Sequence, residues 1–388
     1  MEKTWRWFGK NDNITLDMLR QIGVEGIVTA LHHISNGEIW RSEEIKNLKD
    51  YIESFGLRWS VVESLPVSES IKFGGPDRDK LIEKYISSLE NLGKEGIKTV
   101  CYNFMPVIDW IRTDLDRKLE DGTSILYFDK IRFAYFDIHI LERSGAENDY
   151  TPEELVKVNI LHRSITSEEI DELIDTIIVK TQGFINGNIK EGDNAPVAIF
   201  KTLLKKYEGI DKNALRNNLK YFLGKIMPVC NQYGINMCVH PDDPPFQMLG
   251  LPRIVTDKND IEWILKSVDD NHNGLTFCAG SLSAGIHNDV PKMAEAFCDR
   301  VHFVHLRSTE VLPNGDFFEA DHMHGRGHLI ELVKIFEKCR KDLPMRVDHG
   351  KLMLGDGDKG YNPGYSFHGR MYALAQLDGV MNALKALG

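Results

Sequence analysis

The sequence predicts an α/β protein whose eight parallel strands close into a (β/α)8, or TIM, barrel. Short runs rich in β-branched and aromatic residues alternate with amphipathic stretches of helical period, which is typical of parallel strands joined by right-handed crossovers. Eight such units favour a closed barrel over an open sheet. The predicted strands are 26–31, 57–63, 98–104, 133–141, 235–240, 275–278, 301–305 and 345–349.

The chain has 388 residues, which is more than the roughly 250 typical of this barrel. The surplus lies between the fourth and fifth predicted strands. We therefore expect one domain over residues 1–388, with a helical insertion over 142–215. Thr166 precedes Glu169 by three residues, the spacing of a capping box, so a helix should begin there.

Alternation within the strands predicts which side chains point into the barrel. Cys238 and His240 share one face of the fifth predicted strand, and Arg346 and Asp348 share one face of the eighth. The opposite faces are apolar, as the outer side of a barrel must be where it meets the helices. Polar groups should therefore converge inside the barrel at the carboxyl ends of the strands, where barrel active sites lie.

Four strand ends carry residues that bind metals: His240, Cys278, His305 and Asp348. Taken singly, a histidine here is more often structural, a free cysteine is usually a small buried hydrophobe, and an aspartate can cap the next helix. Taken together, on strands that are neighbours around a barrel, they predict one site for a divalent ion such as Fe(II), Mn(II) or Zn(II).

Composition narrows the function classes. The chain carries 47 Lys and Arg against 58 Asp and Glu, a formal charge of −11, which weighs against a nucleic-acid partner. No apolar run reaches the ~18 residues of a membrane-spanning helix, and no apolar leader begins the chain. The six cysteines include no CxxC pair, so we expect reduced thiols and a cytoplasmic protein.

Several motifs together resemble the mannonate dehydratase family, and the resemblance spans nearly the whole chain. Val347 departs from it, since proline is more usual at that position. The motifs are GIVTALHH at 26–33, VCYNFMPV at 100–107, HPDDPP at 240–245, FCAGS at 277–281, RVDHG at 346–350 and PGY at 363–365.

The resemblance implies a xylose-isomerase-like barrel that dehydrates D-mannonate to 2-dehydro-3-deoxy-D-gluconate in hexuronate breakdown. It also implies Mn(II) or Fe(II) at the active site. The metal ligands carried over by motif match are the same four residues that the strand ends indicate. His349 and Tyr365 match the proposed acid and base, and Asp348 joins them in the catalytic set.

Substrate contacts are the next expectation. Arg346 shares the strand face of Asp348 and could pair with the carboxylate of a sugar acid, because a guanidinium binds a carboxylate bidentately. The alternative is an ion pair between Arg346 and Asp348. Asn103 and His32 are candidate ligands for substrate hydroxyls. The expected partner is this small sugar acid, with no nucleic acid and no membrane, in a chain that could form a homo-oligomer.

Three other functions compete with dehydration. A metal-dependent sugar isomerase uses a related barrel, but such sites usually rely on several carboxylates. An endonuclease for damaged DNA is disfavoured by the net charge of −11. A sugar-acid binding protein without turnover is disfavoured by the presence of both His349 and Tyr365.

Overall fold

Residues 1–182, 189, 195–340 and 342–387 are the part of the chain described by the structure, a computed structural model. Eight parallel strands close into a barrel in which each strand pairs with the next along the chain and the last pairs with the first. They are β1 (Glu2–Arg6), β2 (Gly26–Thr29), β3 (Arg58–Glu63), β4 (Thr99–Tyr102), β7 (Asn236–Val239), β8 (Asn273–Cys278), β9 (Val301–Leu306) and β12 (Pro344–Val347). The predicted fold class is confirmed.

Helices surround the barrel and fill the long segment between β4 and β7. They are α1 (Leu16–Gln21), α2 (Ser42–Glu53), α3 (Glu69–Phe73), α4 (Arg78–Lys94), α5 (Lys130–Tyr135), α6 (Pro152–His162), α7 (Ser167–Ile174), α8 (Pro196–Lys205), α9 (Lys212–Tyr233), α10 (Lys258–Ser267), α11 (Ala279–Ser283), α12 (Val290–Phe297), α13 (Leu329–Cys339) and α14 (Phe367–Leu387).

One predicted barrel strand was wrong and one barrel strand was missed, so the number of barrel strands still agrees with the prediction. The run 133–141, predicted as the fourth strand, is helical: α5 continues into the π-helix Phe136–Ile140. The Asp129 carboxylate starts this helix by accepting from the backbone N–H groups of Ile131 and Arg132. The barrel strand that the sequence missed is β1, whose residues Glu2 and Lys3 give it little strand character.

A second, four-stranded antiparallel sheet lies beside the barrel, in the order β10–β11–β6–β5. Its strands are β5 (Asp114–Lys118), β6 (Ser124–Phe128), β10 (Thr309–Val311) and β11 (Phe317–Glu319). This side sheet packs with α5 and α8 around a separate apolar core. That core includes Ile108, Phe128, Phe136, Phe200 and Phe317.

The expected insertion over 142–215 contains α6, α7 and α8, but the whole segment between β4 and β7 is longer and also holds β5, β6 and α5. The capping box at the start of α7 is confirmed. Thr166 Oγ1 accepts from the N–H of Glu169 at 3.2 Å, and the Glu169 carboxylate accepts from the N–H of Thr166 at 3.0 Å.

The predicted alternation of the barrel strands is also confirmed. A small cluster fills the barrel interior below the carboxyl ends of the strands, and it consists of Val28, Val61, Cys101, Cys238 and Phe303. Thr276 joins this interior by donating from Oγ1 to Sγ of Cys101 at 3.2 Å. The packed interior closes the barrel from below, so that ligands can reach the polar groups only from the carboxyl ends of the strands.

Two cysteines contradict the expectation that all six are reduced. Cys298 and Cys339 form a disulfide, while Cys101, Cys230, Cys238 and Cys278 are free and buried. The sequence did not show this because the two partners lie 41 residues apart and only the packing of α13 brings them together. In the described part of the chain, no helix is both long and apolar enough to cross a membrane.

Replacing both Cys298 and Cys339 by serine should lower the free energy of unfolding by about 2–4 kcal/mol, because the disulfide restricts the unfolded chain. Urea unfolding of the oxidised protein and the variant measures this difference. Turnover should persist, since Cys298 precedes β9 at the end of the barrel opposite the polar groups. Six reactive thiols in the denatured, unreduced wild type, instead of four, would contradict the assignment.

Candidate active site

Four side chains converge at the carboxyl ends of adjacent strands. His240 directly follows β7, Cys278 ends β8, His305 lies on β9 and Asp348 directly follows β12. One ligand atom from each of His240, Cys278 and His305 lies within 4.8 Å of the others. Asp348 Oδ2 is 3.8 Å from Sγ of Cys278 and 3.7 Å from Nδ1 of His305. The structure thus brings together all four ligands expected from the sequence.

The chemistry of this group suits a divalent transition metal ion. Burial alone would raise the pKa of the Cys278 thiol, but the charges of Arg307 and His240 hold it well below its ordinary value, which favours the thiolate. Nδ1 of His240 is 2.7 Å from the carbonyl oxygen of Pro241, which can only accept, so Nε2 is left to bind a metal. Two imidazoles, a thiolate and a carboxylate form a coherent mixed ligand set.

A buried network of ion pairs holds Asp348 in place and links it to the side sheet. Arg307 donates from Nε to Asp348 Oδ2 at 2.7 Å and from Nη1 to Glu319 Oε1 at 2.9 Å. Arg112 donates to the same Glu319 oxygen at 2.7 Å and to Asp243 at 3.0 Å. Burial would raise the pKa of Glu319, but Arg307 and Arg112 bring it to about 2, so this carboxylate stays ionised.

Sequence reasoning missed this network. Arg307 lies two residues beyond His305, and Asp243 lies in the HPDDPP motif, so both were close to residues that the sequence singled out. Glu319 and Arg112 gave no such signal. Glu319 ends β11, and Arg112 lies just before β5, in a part of the chain whose fold the sequence did not reveal.

A cavity opens above the ligand group, at the carboxyl ends of the strands. Its wall includes six of the residues expected from the sequence. They are Asn103, His240, Arg346, Asp348, His349 and Tyr365.

His349 and Tyr365 lie side by side in this wall. Their ring centroids are 5.3 Å apart and the rings are nearly perpendicular. Gly364 allows the backbone to pass close to the His349 ring, because a Cβ atom at position 364 would lie 2.9 Å from Cδ2 of His349. Nδ1 of His349 is 3.0 Å from Oε1 of Glu319, which leaves Nε2 for another partner. Burial raises the pKa of Tyr365, so its phenol stays protonated and can donate a proton.

Arg346 makes the ion pair that the sequence left open as an alternative. Its Nη1 donates to Asp348, and Nε and Nη2 donate to the two oxygens of Glu63 at 3.0 and 2.9 Å. Nε also lies 3.1 Å from Nε2 of His305. Arg346 therefore positions a metal-ligand candidate on each of two strands, and its role toward the substrate stays a prediction.

The two expected hydroxyl ligands differ in their placement. Asn103 lies in the cavity wall, where Nδ2 donates to Oδ2 of Asp109 at 2.5 Å. His32 is exposed and is not among the described residues of that wall; its ring lies 5.9 Å from the ring of Phe8. Its role as a ligand for substrate hydroxyls stays a prediction.

Comparisons with known proteins agree on one family. The model of the D-mannonate dehydratase (UxuA) family matches residues 1–387. The mannonate dehydratase of Marinomonas sp. (strain MWYL1) is 45% identical over 398 residues, and that of Chromohalobacter salexigens is 43% identical over 396, each alignment covering 100% of both chains. The crystal structure of mannonate dehydratase from Streptococcus suis serotype 2 matches with a TM-score of 0.80 and 33% identity, covering 100% of this chain and 96% of that one.

The match extends over the barrel, the side sheet and the insertion together, so it concerns more than a shared barrel. None of these comparisons favours the sugar isomerase. The chain belongs to the D-mannonate dehydratase family, a family of hydro-lyases.

Proposed function

We propose that the cavity above His240, Cys278, His305 and Asp348 is the active site in which this member of the family converts D-mannonate to 2-dehydro-3-deoxy-D-gluconate and water. The observation that carries the proposal is the convergence of these four side chains from adjacent strands, next to a histidine and a tyrosine that can move protons. The substrate is a small sugar acid, and the cavity is lined mainly by polar and charged side chains that can bind its hydroxyls and its carboxylate.

We assign the ion as Mn(II) or Fe(II), held by the two imidazoles, the thiolate and the carboxylate. When bound, such an ion supplies Lewis-acid stabilisation of negative charge on substrate oxygens, which is worth several kcal/mol. The protein adds fixed positive charge around the same point, since Arg307 and Arg346 both contact Asp348. Preorganised charges of this kind cost no reorganisation when the reaction occurs.

The reaction requires removal of a weakly acidic proton from C2 and loss of hydroxide from C3. We assign His349 as the base, because Glu319 orients the ring through Nδ1 and leaves Nε2 to take the C2 proton. We assign Tyr365 as the acid, because its buried phenol keeps its proton until it gives it to the departing C3 hydroxyl. The nearly perpendicular rings place these two groups at different points of the cavity wall.

Incubation with a panel of epimeric hexonates tests the function directly. Protein loaded with Mn(II) or Fe(II) should form a 2-keto-3-deoxy acid from D-mannonate, faster than from its epimers. Product identity by mass spectrometry and NMR measures the outcome. No loss of 18 mass units from any hexonate, together with conversion of an aldose to a ketose of the same mass, would instead support the isomerase alternative.

We further propose a cytoplasmic enzyme whose small-molecule partner is a sugar acid. The homo-oligomer considered from the sequence stays a prediction, and light scattering of the purified protein can check it.

A further inference from the structure

We infer that Arg6, the last residue of β1, binds the carboxylate of the substrate. This inference rests on the proposed function, since it names the residue that selects an acid over a neutral sugar at the same site. Arg346, for which the sequence suggested the same role, pairs with Glu63 and Asp348.

Among the described residues, three arginines line the cavity, and two of them, Arg346 and Arg307, each bridge two or more buried carboxylates. Every guanidinium nitrogen of Arg346 donates to Glu63 or Asp348. Every guanidinium nitrogen of Arg307 likewise donates to a carboxylate: Nε to Asp348, Nη1 to Glu319 and Nη2 to Asp243. Buried carboxylates thus already compensate the positive charge of both arginines, and turning either guanidinium toward a substrate would break a buried ion pair, which is costly because it leaves a buried charge unpaired.

Arg6 differs from both. It makes one ion pair, from Nη1 to Oε1 of Glu63 at 3.1 Å, and its Nε is buried without a hydrogen-bond partner. Among the described residues, no hydrogen bond from its Nη2 is seen. The side chain is 8% exposed and lies in the cavity wall, so part of the guanidinium can be reached from the cavity.

The surroundings of Arg6 fix the side chain without using up its donors. Its guanidinium carbon lies 5.3 Å from the ring centroid of Phe8, and this ring packs edge-on against Tyr365 with centroids 5.0 Å apart. Glu63 would remain paired if Arg6 turned toward a substrate, since Arg346 donates to both of its oxygens. A guanidinium with free donors in this position matches the planar geometry of a carboxylate.

The position also agrees with the chemistry. A carboxylate bound by Arg6 would lie near Tyr365, at the same rim as His349 and Asp348. The adjacent C2 and C3 atoms would then lie within the part of the cavity where the base and the acid meet. Arg6 thus accounts for both selection of the acid and the orientation of its reacting carbons.

Substitution of Arg6 tests the inference, with Arg6→Met removing the donors and Arg6→Lys keeping only the charge. Arg6→Met should raise KM and the dissociation constant for D-mannonate by roughly 10- to 100-fold, as expected for loss of a charged hydrogen bond. Arg6→Lys should show a smaller increase. Arg41→Met, at an exposed arginine outside the cavity, is the matched control and should behave like the wild type.

Inhibition by D-mannitol, which has the same hydroxyl arrangement without a carboxylate, separates recognition of the acid from general damage. D-mannitol should inhibit Arg6→Met and the wild type equally. The metal content of the variant should equal that of the wild type. An unchanged affinity for D-mannonate in both Arg6 variants would overturn the inference, as would loss of bound metal in both. Failure of the wild type to dehydrate D-mannonate would instead overturn the proposed function.

Discussion

Cys278→Ala should remove most of the bound metal and lower kcat for D-mannonate by at least about 100-fold. The thiolate lies within 4.8 Å of ligand atoms on His240 and His305, and the structure places it where it completes the group. Its depressed pKa means that it can bind a metal at neutral pH without first losing a proton at a large energetic cost. Metal analysis and steady-state kinetics measure the two effects.

Cys238→Ala is the matched control for Cys278→Ala. Cys238 is also free, buried and inward-facing, on the neighbouring strand β7, but it packs in the apolar cluster inside the barrel. This variant should keep its metal and most of its activity. Chelation of the wild type should reproduce the defect of Cys278→Ala, with Mn(II) or Fe(II) restoring turnover. Full activity in protein that is verified to be free of metal would contradict the assignment of a catalytic metal site.

The sequence predicted the four ligand candidates because strand geometry alone determines their placement. Side chains alternate across a strand, and parallel strands of a barrel bring their carboxyl ends to one rim. The pairing of Cys278 with His305 across β8 and β9, and of His305 with Arg346 across β9 and β12, follows directly from this regularity. Only the strand positions were needed, and those around the site were predicted well.

Elements whose structure depends on distant partners could not be predicted in the same way. A short apolar run such as 133–141 fits a buried strand or a buried helix equally well, and periodicity does not distinguish them. Here the helix is favoured by the cap from Asp129 and by packing of Phe136 against Phe200, 64 residues away along the chain. Glu319 was missed for the same reason, since the side sheet that carries it forms from segments far apart in sequence.

Arg346 shows the limit of reasoning from residue type. Its strand face was predicted correctly, and both alternatives, a substrate carboxylate and an ion pair with Asp348, followed from that face. The choice between them depended on Glu63, which ends β3 on the other side of β1 and β2 and binds the same guanidinium. Because Arg346 donates to two buried carboxylates, it holds Glu63 and Asp348 in position beside the cavity.

His349→Asn and Tyr365→Phe should each lower kcat by about 10²- to 10⁴-fold, the usual contribution of a positioned acid or base. Both side chains line the cavity, but neither is among the four ligand candidates. Metal content should therefore stay near that of the wild type in both variants. Steady-state kinetics together with metal analysis checks this, and loss of metal in both would show that ligands had been mistaken for catalysts.

Hydrogen exchange at C2 distinguishes the two roles further. If His349 takes the C2 proton and Tyr365 protonates the C3 hydroxyl, Tyr365→Phe can still remove the proton although the hydroxyl leaves slowly. D-mannonate incubated with Tyr365→Phe in D₂O should then gain deuterium at C2, whereas His349→Asn should give none, as NMR can measure. The reverse pattern would exchange the two assignments and would mean that the Glu319–His349 hydrogen bond holds an acid ready to donate, instead of a base ready to accept.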